Sequence, residues 1–260
     1  YAGAAPGTHI PYLWSLFPSK HFILIDPRPY NFSHNFTRFT LVSDPNTYYH
    51  KYSTVNALLS TPPIDLINDY FTNDLADLFK SYHPLFISDI RTANIVDMNK
   101  EEVEQHIIQD NANQMDWIRH MLPVQSMIKF RCNYAGVLPD VPTTSFFEGS
   151  IYKQPWAPES SSETRLIVHP QHLNIVEYDN RVYENQMFHF NNFVRQSKFP
   201  QPITGGEGFN CGFDVSAEVS LLWLYLKKMN KVTQGQIFQQ IITMSKDISR
   251  QITLSGRNLT

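Results

Sequence analysis

Short apolar runs that end in a charged residue alternate along this chain with longer amphipathic stretches. Three segments predict buried strands of this kind: 21–26, 85–89 and 126–131. Residues 101–122 predict a helix between the second and third of these strands, with an apolar stripe through Trp117, Ile118 and Met121. Strands that alternate with helices predict an α/β fold with a mostly parallel sheet flanked by helices.

The first ten residues predict the end of a strand, a tight turn on Gly3 and Gly7, and the start of a helix. The later predicted elements are edge strands at 162–169 and 174–178 and helices at 216–230 and 236–250. A length of 260 residues fits one large domain spanning residues 1–260. The chain begins at Tyr1, without methionine and directly before the turn, which we interpret as an N-terminally truncated fragment.

The ends of the predicted strands place charged residues together. In parallel α/β sheets, ligands bind outside the carboxyl ends of the strands. The Gly3–Gly7 turn, Asp26, Asp89 and Lys129 should therefore meet at one edge of the sheet.

Composition limits the class of function. A content of 42% hydrophobic, 13% aromatic and 17% charged residues is that of a folded globule rather than a disordered chain. A formal net charge of −3 argues against binding nucleic acid through bulk electrostatics, because neutralising many phosphates needs a basic excess. Any RNA contact should therefore be local.

Cysteine usage and hydropathy suggest a location in the cytoplasm. Cys132 and Cys211 are too few for a disulfide framework and wrongly spaced for a zinc site. The longest apolar run, residues 219–226, is too short to span a bilayer. No membrane association is expected.

The turn at Gly3 and Gly7 lets the backbone approach a ligand closely and offers amide donors. It lacks the Lys-Ser/Thr pair of a phosphate-binding loop, so the cofactor need not carry a pyrophosphate, and S-adenosylmethionine fits. Asp26 stands where a nucleotide-binding fold places its acceptor for ribose hydroxyls. A purely structural strand–turn–helix remains the alternative.

Asp89, Lys129 and Glu163 are charged residues in segments that otherwise predict burial. Buried charges are costly unless they are paired or used in chemistry. Methyl transfer to a ribose hydroxyl needs that weak nucleophile to be aimed and its proton to be removed. A lysine whose ammonium is destabilised by its neighbours can hydrogen-bond the hydroxyl or deprotonate it. A structural ion-pair cluster explains the three residues equally well.

Five blocks, in order along the chain, resemble the poxvirus cap-specific mRNA 2′-O-methyltransferase family. They are Tyr1-Ala-Gly-Ala-Ala-Pro-Gly-Thr-His-Ile-Pro-Tyr-Leu, Leu24-Ile-Asp-Pro-Arg28, Ile87-Ser-Asp-Ile-Arg91, Ile128-Lys-Phe-Arg-Cys132, and Gln154-Pro-Trp-Ala-Pro158 followed by Glu163-Thr-Arg-Leu. The resemblance extends to about residue 192 and implies a Rossmann-like, S-adenosylmethionine-dependent methyltransferase fold. Members of this family also serve as processivity subunits of viral poly(A) polymerase.

The resemblance implies a role for particular residues. The last three members of the family's catalytic Lys-Asp-Lys-Glu set fall on Asp89, Lys129 and Glu163, and the first lysine lies upstream of this chain. The implied contacts to S-adenosyl-L-methionine are Tyr1, Gly3, Gly7, His9, Asp26 and Arg28, with Tyr70 and Phe71 in the loop that bounds the adenine.

Cap binding is implied in the same way. N7-methylguanine carries a positive charge on a π-system, which favours aromatic stacking and a facing carboxylate. Tyr134 matches one stacking aromatic of the family and Glu184 its carboxylate, whereas a second family carboxylate falls on Gly136. Without the resemblance, Tyr134 and Glu184 would be interpreted as surface residues.

Arg131 and Arg165 flank the catalytic positions and could hold RNA phosphates, although salt-bridged scaffold arginines are an equal alternative. No metal is expected, because His9 has no clustered ligand pattern and is better explained as a hydrogen-bonding residue at a helix start. The partners implied are capped mRNA and a viral poly(A) polymerase catalytic subunit, in the host cytoplasm or packaged in the virion. The competing functions are a non-catalytic cap-binding or polymerase accessory subunit and a 2′-O-methyltransferase of another RNA.

Overall fold

The computed structural model describes residues 1–32, 36–42, 44, 47, 51–52, 63–171, 173–200, 208–233, 235–252 and 257–260. Its strands are β1 (Phe22–Ile25), β2 (Thr40–Val42), β3 (Ile64–Ile67), β4 (Leu85–Ser88), β5 (Gln125–Phe130), β6 (Thr143–Phe147), β7 (Ser150–Lys153), β8 (Thr164–Val168) and β9 (Ile175–Asp179). Its α-helices are α1 (Ile10–Leu16), α2 (Asn73–Phe79), α3 (Lys100–Met121), α4 (Asn180–His189), α5 (Phe213–Lys228) and α6 (Ile237–Ile252). A 3₁₀ turn, Lys80–Tyr82, follows α2, and a π-helical turn, Phe190–Val194, follows α4.

The sheets combine parallel and antiparallel pairs. Strands β1, β3 and β2 pair in parallel in that order, and β4 pairs with β5 in parallel. Strands β5, β8 and β7 then pair antiparallel, and β6 and β9 form a separate antiparallel pair. The mixed α/β class is therefore confirmed, but the pairing is mixed rather than mostly parallel.

One expectation about the sheet is wrong. The segment predicted at 162–169 as an edge strand forms β8, which lies between β5 and β7. The strand that covers it, β7, is only four residues long and largely exposed, so its sequence carries no apolar pattern. Hydrogen bonding to β8, rather than burial, determines that β7 is a strand.

Helix α3 illustrates how local sequence sets an element. Asn99 caps its start and exchanges hydrogen bonds with Glu102, and Leu122 ends it in a left-handed conformation. Its buried face is only partly apolar, because it also carries four buried polar residues. These are Glu104, Asp110, Asn111 and Gln114.

The chain comprises two compact units, and the expectation of a single domain stays a prediction. The first unit contains Tyr1–Lys153 and Glu163–Glu184, with all nine strands named above. The second contains Gln154–Ser162 and Asn185–Thr260, and its core packs α5 with α6 around Val219, Leu222 and Ile241. Among the described residues, no helix is both long and apolar enough to cross a membrane.

Candidate active site

The first residues of the chain lie between β1 and β4. Ala2 forms parallel bridges with Ile25 and Ser88, and its carbonyl accepts a hydrogen bond of 2.9 Å from the amide of Asp89. Gly3 follows with φ of +77°, and a Cβ atom there would lie 2.9 Å from the carbonyl oxygen of Asp89. The turn therefore needs glycine at this position, both for its left-handed backbone and for its close packing.

Asp26 holds the turn together at the end of β1. Its Oδ2 accepts hydrogen bonds from the Ala5 amide and from Arg28 Nη2, both at 3.0 Å. Its Oδ1 accepts from the Arg28 amide at 2.9 Å and from Arg28 Nε at 3.0 Å. Burial would raise the pKa of Asp26, but the hydrogen bonds from Arg28 and Ala5 hold it below its usual range. Asp26 is thus an anion that already braces the loop.

Tyr1 and His9 face Asp89 from the glycine turn. Their ring centroids lie 6.0 Å apart. Burial and the Asp89 carboxylate raise the pKa of the Tyr1 phenol to about 12. Burial lowers the pKa of His9, and the charge of the Asp89 carboxylate opposes that shift. His9 occupies the N-cap position of α1 as expected, but its side chain makes no capping hydrogen bond.

The two aromatic residues after β3 have different environments. Tyr70 is 69% exposed, whereas Phe71 is buried and packs against Phe86 and Trp117. The Nδ2 of Asn68, in the same loop, donates to the carbonyl of Asp26 at 2.9 Å. This loop therefore lies beside the glycine turn, with Tyr70 as its available ring.

Lys129 and Arg165 share a single carboxylate. They are register partners on β5 and β8, so their side chains leave the sheet on the same face. Lys129 Nζ lies 3.3 Å and Arg165 Nη2 2.8 Å from Asp89 Oδ1. All three side chains are 21–30% exposed, so this cluster remains open to solvent.

Glu163 completes the charged group. Arg91 forms two hydrogen bonds of 2.8 Å with its carboxylate, and Arg131 Nε lies 3.9 Å from Oε1. Burial would raise the pKa of Glu163, but the charges of Arg91, Lys129 and Arg131 hold it below its usual range. Asp89, Lys129 and Glu163 are thus brought together as predicted, while their catalytic roles stay predictions.

Arg131 is placed differently from an RNA-contacting residue. It is 5% exposed and forms a two-pronged ion pair with Glu104, at 2.8 and 3.0 Å. Its guanidinium carbon lies 4.6 Å from the centroid of the Tyr134 ring. This arrangement matches the alternative of a scaffold arginine, which here supports the Tyr134 ring.

The two residues expected to bind the cap are neighbours. Glu184 Oε2 accepts a hydrogen bond of 3.0 Å from the amide of Ala135, the residue after Tyr134. Gly136 follows with φ of +85°, and a Cβ atom there would meet nothing within 4 Å. The structure therefore places an aromatic ring, a carboxylate and open space side by side.

Sequence reasoning missed two residues that organise this site. Glu104 accepts hydrogen bonds from Asn133 Nδ2 and the Tyr134 amide at 2.9 Å, besides its pair with Arg131. Arg91 was part of a recognised block, but its pairing with Glu163 was not foreseen. The sequence did contain a signal that Glu104 is buried. It lies three residues before Ile107, which places both on the same, buried face of α3. Among the described residues, no three His, Cys, Asp or Glu side chains form a group that could hold a metal ion.

Comparison with known proteins gives both a family and named relatives. A family model described as "Poly A polymerase regulatory subunit" matches residues 1–253. The chain is 26% identical over 208 residues to a protein of Fowlpox virus (strain NVSL) named cap-specific mRNA (nucleoside-2′-O-)-methyltransferase, with 75% of this chain and 58% of the relative covered.

A protein of the same name from Myxoma virus (strain Lausanne) is 27% identical over 206 residues, covering 75% of this chain and 53% of the relative. The chain thus spans somewhat more than half the length of these curated relatives. These matches confirm the family resemblance seen in the sequence blocks.

Proposed function

This chain belongs to the poly(A) polymerase regulatory subunit family, and from that premise we propose that it methylates the ribose 2′-hydroxyl of the first transcribed nucleotide of capped mRNA. The methyl donor is S-adenosyl-L-methionine. The names of the relatives from Fowlpox virus and Myxoma virus support this reaction. The observation that carries the proposal is the open cluster of Lys129, Asp89 and Arg165 beside the glycine turn.

We propose that the first unit is a Rossmann-like methyltransferase fold. The bridges of Ala2 to Ile25 and Ser88 join the β1–β3 strands to β4 and β5 in a parallel sense. This gives a parallel series that ends in the antiparallel strands β8 and β7. The site then lies at the carboxyl ends of the parallel strands, where ligands bind in such sheets.

The residues around the turn fit this cofactor. Gly3 and Gly7 keep the backbone free of Cβ atoms, Tyr1 and His9 supply rings, and Tyr70 supplies an exposed ring in the loop after β3. Asp26 has four hydrogen-bond donors already, so ribose hydroxyls must replace one of them. The Arg28 side chain, 66% exposed, is the donor that can give way.

When bound, the cofactor supplies an electrophilic methyl group. Lys129 would hydrogen-bond the 2′-oxygen of the target ribose and aim it, and the proton of that hydroxyl would pass to solvent. Asp89 holds the Lys129 ammonium, and Arg165 shares the same carboxylate oxygen. Glu163 adds negative charge beside Lys129 and is itself fixed by Arg91.

Tyr134 and Glu184 bind the cap in this proposal. The ring stacks on the positively charged N7-methylguanine, and the carboxylate faces the base's donors. Arg131 supports the ring and Glu104 holds the loop backbone, so Arg131 has no place among the proposed RNA contacts. Arg165 is the proposed contact for an RNA phosphate. Capped mRNA and a poly(A) polymerase catalytic subunit are the proposed partners, in the host cytoplasm.

The proposal is tested by separating catalysis from binding. Lys129→Met in the full-length protein should lower methyl transfer to capped RNA by about 100-fold or more, because an aiming group acts chiefly in the transition state. Affinities for S-adenosylmethionine and a cap analogue, measured by calorimetry, should stay close to those of the wild type. Lys20→Met, an exposed lysine before β1, is the matched control.

Loss of both affinities alongside activity would show that Lys129 is a structural ion-pair member. Retained turnover would remove Lys129 from the reaction.

The family description favours a second candidate, a regulatory subunit of poly(A) polymerase that does not catalyse methyl transfer. In that case the charged cluster serves the fold alone. Two results together would support this candidate. The wild-type protein would show no methyl transfer, and both the wild type and Lys129→Met would stimulate a poly(A) polymerase equally.

A further inference from the structure

A row of side chains crosses four neighbouring strands at the candidate active site. Lys129 on β5 is the register partner of Arg165 on β8, and Arg165 is the register partner of Tyr152 on β7. Asp89 stands at the other end of this row, because it directly follows β4 and pairs with both cations. The order across the sheet is therefore Asp89, Lys129, Arg165, Tyr152.

Register partners project from the same face of a sheet, so Tyr152 shares its face with Lys129 and Arg165. Two strand spacings separate Lys129 from Tyr152, which amounts to roughly 10 Å between their backbones. The Tyr152 side chain is thus one residue further along the row than the arginine proposed to hold phosphate.

Exposure distinguishes Tyr152 from the rest of the row. It is 60% exposed, against 23% for the Lys129 and 21% for the Arg165 side chains. Within the described part of the chain, its phenol has no hydrogen-bond partner. A single exposed aromatic residue is ordinary on a protein surface. Tyr152 differs from such a residue because its ring extends the row that contains the proposed catalytic lysine and the proposed phosphate-contacting arginine.

We propose that Tyr152 is a stacking platform for a nucleobase of the RNA that adjoins the target ribose. This inference rests on the proposed function, because it takes Lys129 as the residue that binds that ribose. Aromatic rings bind single-stranded RNA by stacking on bases, and this contact tolerates any base because each has a π-face. Tyr152 would hold the nucleotide chain in line with Lys129 while Arg165 contacts the intervening phosphate.

The test compares two ligands and three variants in the full-length protein. The ligands are a short capped oligonucleotide and a cap analogue without downstream bases. Tyr152→Ala should weaken binding of the oligonucleotide about tenfold, as expected for one lost base–aromatic stack, and leave the cap analogue unaffected. Tyr152→Phe should retain wild-type affinity, because the ring remains. The loss should be similar for every base at the adjoining position.

Ile151→Ala is the matched control. Ile151 is an exposed residue of the same strand, but alternation places it on the opposite face, opposite Leu166. Unchanged oligonucleotide affinity in Tyr152→Ala, an equal loss in Ile151→Ala, or an equal loss for the cap analogue would overturn the inference. A loss confined to one base identity would also overturn it, because stacking does not discriminate in that way.

A crosslinking experiment on the wild-type protein tests the same inference without depending on whether a variant folds. Capped RNA with 4-thiouridine beside the target nucleotide should crosslink in the wild-type protein to the peptide that contains Tyr152, and crosslinks found only elsewhere contradict the proposal. Both arms measure binding, so they are independent of turnover. A wild-type protein that binds the oligonucleotide without methylating it refutes the proposed function. The binding comparison between wild type and Tyr152→Ala then still decides whether Tyr152 stacks on a base. A wild-type protein that binds no RNA refutes both.

Discussion

Asp65 and Asp89 are both carboxylates in or beside buried strands, at opposite ends of the first unit's parallel strands. Asp65 lies near the start of β3, is 0% exposed, and accepts hydrogen bonds from His21, Lys51 and the Tyr52 hydroxyl. Asp89 follows the end of β4, and its side chain is 30% exposed. One cluster is closed and the other is open.

The difference between these clusters separates a structural charge from the charge that we propose to be functional. Every oxygen of Asp65 is engaged by side chains that pack around it, so a ligand has nothing to approach. At Asp89, one oxygen receives both Lys129 and Arg165, and the cations stay partly accessible. Burial of a charge by itself therefore does not distinguish the proposed site from a structural cluster in this chain, whereas exposure to solvent does.

The largest expected effect is on stability at the closed cluster. Asp65→Asn should destabilise the protein by about 3 kcal/mol, because it leaves Lys51 and its neighbours without their buried anion. For a chain of this size the melting temperature should fall by roughly 10 °C. Affinity for S-adenosylmethionine, measured on the folded variant, should not change. A melting temperature equal to that of the wild type would show that Asp65 is not a structural anchor.

The next effect concerns Glu104, which joins helix α3 to the loop at Tyr134 that we propose binds the cap. Glu104→Gln should cost about 2 kcal/mol, because Arg131 loses the anion that it faces while buried. The cap analogue should bind more weakly as well, because Glu104 also fixes the Tyr134 amide. Glu101→Gln, at an exposed position in the first turn of the same helix, is the control for stability. Weakened cap binding without a loss of stability would contradict this structural explanation.

Acid should affect both clusters through carboxylates with depressed pKa values. Burial opposes the shift in Asp65 and Glu163, but hydrogen bonds and neighbouring cations lower the pKa of each. Their stabilisation is therefore complete above the unfolded-state values near pH 4 and is lost as pH falls through the lower folded values. The contribution of these two carboxylates to the melting temperature should be constant between about pH 5 and 7 and fall below about pH 4. The lowered pKa of His9 adds a separate loss of stability as pH falls below about 6.5, because its imidazole is protonated more readily in the unfolded chain. Asp65→Asn should show a shallower fall, and an identical slope would contradict the assignment.

The smallest effect tests Tyr134, the ring that we propose stacks on the cap. Tyr134→Ala should reduce the preference for methylated over unmethylated cap analogue by about threefold, the size of an exposed cation–π contact. Competition binding with the two analogues measures it directly. Equal weakening of both analogues would indicate general RNA binding by Tyr134.

Local patterns predicted the elements that carry the site. Helix α3 was expected at 101–122 and runs over Lys100–Met121, and β5 was expected at 126–131 and runs over Gln125–Phe130. In both segments the apolar residues repeat at a regular spacing, and the residues at each end signal where the element begins and ends. Strand β3 was not predicted, because Asp65 interrupts its apolar run. The buried charge of Asp65 is stabilised by residues distant in sequence, such as Lys51, which a local pattern does not reveal.

In the candidate site, too, some features followed from local sequence patterns and others did not. The positions of Asp89 and Lys129 at strand ends followed from the sequence, since parallel strands bring their carboxyl ends together. The burial of Arg131 and Phe71 did not, because it depends on Glu104 and on Trp117, both from α3. Contacts between elements distant in sequence decide which charged or aromatic side chain remains accessible.

The most direct test of the central claim is where a methyl group is placed. The full-length protein, supplied with labelled S-adenosylmethionine, should transfer label to capped RNA and none to the same RNA carrying a 2′-deoxy first nucleotide. Nuclease digestion should locate the label on the ribose of that nucleotide. Equal labelling of both RNAs, or no labelling of either by a protein that binds the cofactor, would contradict the account.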